Sequence, residues 1–182
     1  MDRVGAEEGA DAPMVPVDVV GVRQQQQDQE IVVLLLDAAA ELAVPIVIGA
    51  REASAIAMAQ AGVATPRPMT HDLLRDLLEA VGVGLDRVEI VALDGGVFFA
   101  ELVLSTGVRL DSRASDAIAL AVRTGSPVLC SAEIVAAAGV EVVDNTQQRE
   151  MERFRDFLDH ATAEDFTAPG GPHEPDVDDT PP

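Results

Sequence analysis

The tripeptide Asp94-Gly95-Gly96 stands between two apolar runs, Val88 to Leu93 and Val97 to Leu104. Glycine tolerates the positive φ that a tight hairpin turn requires, so this pattern predicts two antiparallel strands closed by a short turn. Ser105-Thr106-Gly107 marks a second turn before Val108 to Asp111. Residues 88–111 therefore predict an antiparallel meander, and any fold for this chain must contain one.

The preceding sequence adds three more strand-like runs. Val15 to Arg23 is valine-rich and alternates in part at period two, and Ile31 to Asp37 and Ala43 to Gly49 follow. The polar Gln24 to Glu30 run between the first two reads as a loop or hairpin end. Arg51 to Ala61 is alanine-rich and stops at Gly62, the mark of a helix. After a proline-stiffened link, Thr70 is a natural N-cap for a helix ending at Gly82, with Leu73, Leu74, Leu77, Leu78 and Val81 on one apolar face. Ser115 reads as the cap of a helix ending at Gly125. Ser126 to Cys130 is a short strand, and Ser131 caps a last helix stopped by Gly139.

These elements predict a single α+β domain at about 14–144, with a mixed sheet, an antiparallel meander and several packed helices. Residues 1–13 read as a disordered acidic arm. Residues 145–166 read as an amphipathic C-terminal helix, with Met151, Phe154, Phe157, Leu158 and Ala161 as its stripe, and 167–182 as a disordered acidic tail. The core must be aliphatic, because the chain has five phenylalanines and neither tryptophan nor tyrosine. Its one cysteine, Cys130, cannot form an internal disulfide and suits a reducing compartment.

The formal charge of −20 excludes a non-specific nucleic-acid coat protein, which needs a basic field. The excess is uneven: −3 in residues 1–13, −10 in 14–145 and −7 in 146–182, so half of it lies in the flanks. No start resembling a signal peptide and no membrane-length apolar run is present, which predicts a cytoplasmic protein with no membrane partner. No glycine-rich phosphate loop follows a strand, so a dinucleotide fold or P-loop is unsupported.

Two stretches carry candidate chemistry: Arg67-Pro68-Met69-Thr70-His71-Asp72-Leu73 and Asp111-Ser112-Arg113-Ala114-Ser115-Asp116. Each sets an arginine before a hydroxyl cap and an aspartate in the first turn of a helix. The free N–H groups and positive dipole end there suit a phosphate, and the carboxylates suit a divalent cation. Ordinary helix capping explains the same residues. Read alone, they leave both explanations open.

The order of PIVIGAREASAIAMAQAG, RPMTHDLLRDLL, GGVFFAELVL and LDSRASDAIALAVRTGSPV resembles the bifunctional nuclease domain family, from about Val15 to Val143. One departure is Ala114, where such proteins usually carry proline; it removes no reactive group. The resemblance implies phosphodiester hydrolysis of RNA or DNA, with Glu52, Arg67, His71, Asp72, Arg113, Ser115 and Asp116 as site residues. It implies that Glu52, Asp72 and Asp116 bind Mg²⁺ or Mn²⁺, and that His71 is the general acid or base. Arg67 and Arg113 would offset transition-state charge, Ser115 would hold a phosphate oxygen, and Asp111 would orient an arginine. With no tyrosine or tryptophan to stack bases and an acidic field, the expected nucleic-acid substrate is short or single-stranded. The rival expectation is a non-catalytic, oligomeric binding or regulatory module with an anion pocket at its helix starts. The valine- and alanine-rich strands make a homo-oligomer the expected assembly.

Overall fold

The computed structural model describes residues 13–25 and 29–142. The expected C-terminal helix, the acidic tail, almost all of the N-terminal arm and the middle of the glutamine run lie outside them.

The described residues form an α+β domain of eight strands and four helices. Three strands come first, β1 (Met14–Gln24), β2 (Ile31–Asp37) and β3 (Leu42–Ile48), followed by α1 (Ala50–Gln60) and α2 (Thr70–Ala80). The meander is β4 (Leu85–Asp94), β5 (Val97–Leu104) and β6 (Arg109–Arg113), and α3 (Ala114–Thr124), β7 (Val128–Ser131), α4 (Ala132–Ala138) and β8 (Val140–Glu141) complete the order. The strands make one sheet in the order β6-β5-β4-β7-β1-β2-β3-β8. Two antiparallel meanders are thus joined by β7, which runs parallel to β4 and antiparallel to β1. That parallel seam makes the sheet mixed. The two-residue β8, beyond the expected strands, pairs with β3.

The alanine-rich join between β2 and β3 turns because Asp37 caps it. Its Oδ1 accepts from the N–H groups of Ala39 at 2.9 Å and Ala40 at 3.2 Å. The hairpin glycines Gly95 and Gly96 both adopt positive φ, as the Asp-Gly-Gly turn requires.

The core is aliphatic, centred on Leu35, Ile56, Ile90, Ile118 and Leu120. Helix α3 buries six residues and packs against α1, α2 and the meander. Helix α2 carries the leucines of its apolar face on a side left largely open. Its leucine face is not covered by the domain: Leu73, Leu77 and Val81 are exposed, and only Leu78 packs against the core. The helix rests on α3 along one edge and is tied there by polar bonds of its first turn, so the contact is narrower than the apolar face.

Across β4, β5 and β6 the acids Glu89, Glu101 and Asp111 lie directly opposite one another. Like charges in register destabilise a sheet unless neutralised. Arg87 binds Glu89 at 2.6 Å, and Arg109 bridges Glu89 and Glu101. Burial by itself would raise the Glu89 carboxyl, but the two guanidiniums outweigh it and hold the group below its ordinary value.

Candidate functional site

The helix starts are arranged differently from the expected caps. Arg113, the last residue of β6, is itself the N-cap of α3, and Ser115 is the second helical residue. Met69 is the N-cap of α2, so Thr70 is already helical. The hydroxyls of Thr70 and Ser115 therefore lie one and two residues too late to cap. Among the described residues, neither α1 nor α3 has a side-chain cap hydrogen bond at its N-cap. The positive end of α3 stays available, whereas the Glu52 carboxylate lies over the start of α1.

The sheet curls so that these two starts meet. Strands β3 and β6 lie near opposite edges, yet the β3–α1 junction at Gly49 and the β6–α3 junction at Arg113 line one cleft of about 480 Å³. Glu52 and Ser115 line it too.

Four side chains form a continuous chain at this place. His71 Nε2 lies 3.0 Å from Asp116 Oδ1, Arg113 Nε donates to Asp116 Oδ2 at 2.7 Å, and Arg113 Nη2 donates to Glu52 Oε1 at 3.2 Å. Residues from α1, α2 and the β6–α3 junction are thereby joined. An ionised carboxylate only accepts, so Asp116 assigns the Nε2 proton and leaves Nδ1 as the nitrogen that can take another. Partial burial would raise the Asp116 carboxyl, but its bonds from Arg113 and His71 prevail and keep it below its ordinary value. Arg113 is 67% exposed, and among the described residues its Nη1 has no partner.

Asp72 belongs to a different network. Its Oδ1 accepts from Arg123 Nε at 2.6 Å and its Oδ2 from the Met69 N–H at 3.0 Å. The Arg123 side chain, only 5% exposed, also donates to the carbonyls of Ala119 and Ala55. One buried guanidinium thus ties α2 to α3 and α1. The Arg123 bond, and then the Met69 N–H, hold the Asp72 carboxyl below its ordinary value. Arg67 is exposed and its side chain meets none of the other candidates; its carbonyl accepts from Thr65 at 2.6 Å. Asp111 is exposed beside Glu101 in the sheet, and its side chain makes no hydrogen bond or ion pair among the described residues.

Two residues escaped the sequence reading. Gly49 is needed because the Glu52 carboxylate folds back over it, so a Cβ there would collide with Oε2. A glycine directly between a strand and a helix with glutamate three residues on is the local signal. Arg123 has no such signal, since its partners stand 51 and 68 residues away.

The carboxylate donors fit a cation in part. Glu52 and Asp116 face one guanidinium between them, a place that already favours positive charge; both oxygens of Asp116 and both of Asp72 are bonded, whereas among the described residues Glu52 has a partner on Oε1 alone. Among the described residues, no group of three or more His, Cys, Asp or Glu side chains has metal-holding geometry.

Fold and site together define a class: an α+β domain whose sheet brings a guanidinium to a cleft between helix starts, with a histidine linked to it through a shared aspartate. The chain belongs to the bifunctional nuclease domain family, whose model matches residues 33–143. It is 40% identical over 163 residues to the Mycobacterium tuberculosis proteins called Uncharacterized protein MT1877 and Uncharacterized protein Rv1829, covering 85% of this chain and 99% of each relative. It is 27% identical over 120 residues to Bifunctional nuclease 2 of Arabidopsis thaliana, covering 63% of this chain and 36% of that protein. Among the described residues, no helix is long and apolar enough to cross a membrane.

Proposed function

We propose that the protein is a nuclease hydrolysing phosphodiester bonds in short or single-stranded RNA or DNA. The observation that carries this reading is Asp116, which holds His71 and Arg113 on its two oxygens beside the cleft. A proton-transfer group and a phosphate-binding group are thereby fixed relative to each other. In the reaction, water attacks phosphorus as the bond to the leaving oxygen breaks. His71 takes the water proton at Nδ1, and the imidazolium so formed then gives it up to the leaving oxygen, so that no proton is gained or lost overall. Arg113 Nη1, the Ser115 hydroxyl and the open start of α3 bind the phosphoryl oxygens.

Charge supports a divalent cation, Mg²⁺ or Mn²⁺, as part of this site. Two carboxylates against one guanidinium leave the cluster at −1 when His71 is neutral, which repels a phosphate. Glu52 would hold the cation, with Asp116 joining it where the cation displaces the Arg113 guanidinium, and the cation would supply positive charge and an acidified water. Asp72 then positions α2, and with it the adjacent His71, by way of Arg123.

One observation favours a second reading, a non-catalytic anion-binding module: Glu52, Asp72 and Asp116 are each paired with an arginine. Incubation of the full chain with single-stranded RNA and DNA separates the two. The nuclease reading expects cleavage with Mg²⁺ or Mn²⁺ that chelator stops; intact substrate under every metal leaves the binding module.

A further inference from the structure

The cleft at the site is chemically two-sided. Glu52, Arg113 and Ser115 supply its polar lining, whereas Val47, Val97 and Phe98 supply apolar surface. The two valines are 57% and 56% exposed, on strands from different parts of the sheet. Phe98 is half-buried, with part of its side chain packed against the core. Its support by the core makes it a fixed surface rather than a swinging one. A cleft of about 480 Å³ lies in the roughly 300–1,000 Å³ range of small-ligand pockets, too small for a folded nucleic acid and ample for one nucleotide unit.

We propose that this apolar wall takes the base of a nucleotide whose phosphate is held by Arg113 and Ser115, so that the site recognises a nucleotide rather than a phosphate alone. The proposal rests on the nuclease reading for its substrate class. The occupant follows from chemistry on both sides of the cleft. An unpartnered guanidinium nitrogen and a serine hydroxyl among the described residues call for an anion, and the adjoining surface calls for a flat apolar group. A nucleotide joins these two chemistries at the distance of one sugar. The wall side chains carry no hydrogen-bonding atoms, so base recognition there is by contact and tolerant of sequence.

The test is a binding measurement by calorimetry on the full chain with Mg²⁺ present, comparing adenosine 5′-monophosphate with ribose 5-phosphate. Both carry the same phosphate and sugar; only one carries a base. The nucleotide is expected to bind roughly tenfold tighter, the scale of one base–aromatic contact. The double variant Val47→Ser, Val97→Ser alters two exposed positions and spares the core. It should weaken the nucleotide several-fold and leave ribose 5-phosphate unchanged, while Arg113→Gln should weaken both alike. Equal affinity of the two ligands in the parent, binding of neither, or a base preference that survives the double variant overturns the proposal. Cleavage measured in parallel keeps the two readings apart. A base preference without cleavage upholds the wall and sinks the nuclease; cleavage without a base preference does the reverse.

Discussion

Asp72 and Asp116 occupy equivalent places in sequence, each in the first turn of a helix that follows an arginine and a hydroxyl residue. Their surroundings give them different work. Asp116 is shared between His71 and Arg113 beside an open cleft, whereas Asp72 neutralises a buried guanidinium. Removing the charge of Asp72 leaves Arg123 with weakened compensation in the interior, so Asp72→Asn should cost about 1–3 kcal/mol in urea unfolding. An unchanged unfolding midpoint would contradict that assignment. Gly49 supplies a second prediction. Its φ of −71° suits any residue, so Gly49→Ala should change stability by no more than about 1 kcal/mol. The new methyl displaces the Glu52 carboxylate and should lower cleavage about tenfold; an unchanged rate would remove Glu52 from the site. The sequence carried no means of telling the two aspartates apart, because Arg123 reaches Asp72 only through the packing of α2 on α3.

Helix α2 shows the same limit at the scale of elements. Its repeating leucines read as one apolar face, and of that face Leu77 is 56% exposed while Leu78 alone packs against the core. Periodicity reports that a face is apolar, not how much of it the domain covers. Thermal unfolding of alanine variants should therefore separate neighbours: Leu78→Ala should cost about 1–2 kcal/mol and Leu77→Ala under about 0.5 kcal/mol. The reverse order would mean that the helix sits with its other side on α3. The strands were far more legible. Local alternation and the Asp-Gly-Gly turn mark β1 to β6 to within a few residues, since hairpin register is set by neighbouring sequence. The parallel pairing of β4 with β7 is non-local, and no turn residue announces it.

At the scale of the whole molecule, the curling of the sheet decides the site. The family resemblance gathered residues from the starts of α1, α2 and α3; the starts of α1 and α3 line one cleft, and His71 of α2 is linked to it through Asp116. Only Arg113, Asp116, Glu52 and His71 form the continuous chain; Arg67 and Asp111 stand outside it. The same architecture sets the acid limit of the domain. Glu89, Asp72 and Asp116 all have carboxyls held below their ordinary values by arginine partners. A group depressed in the folded state stabilises fully above its unfolded pKa and loses that contribution as pH falls through its folded pKa. Stability measured by urea unfolding should thus be level above about pH 5 and decline below about pH 4. The variant Arg109→Gln should flatten that decline, because Glu89 loses one of the bonds that depress it; an undiminished slope would assign the acid sensitivity elsewhere.

The central claim is that Asp116, by orienting His71 and Arg113, organises phosphodiester hydrolysis, while Asp72 serves the packing of α2. The most direct test is the rate of single-stranded RNA cleavage by Asp116→Asn and Asp72→Asn, each compared with the parent at a temperature where all three are folded. The expected result is a loss of about 10²–10⁴-fold for Asp116→Asn, the usual contribution of positioned acid–base catalysis, with much of the parent rate kept by Asp72→Asn. Undiminished cleavage by a folded Asp116→Asn protein would contradict the claim.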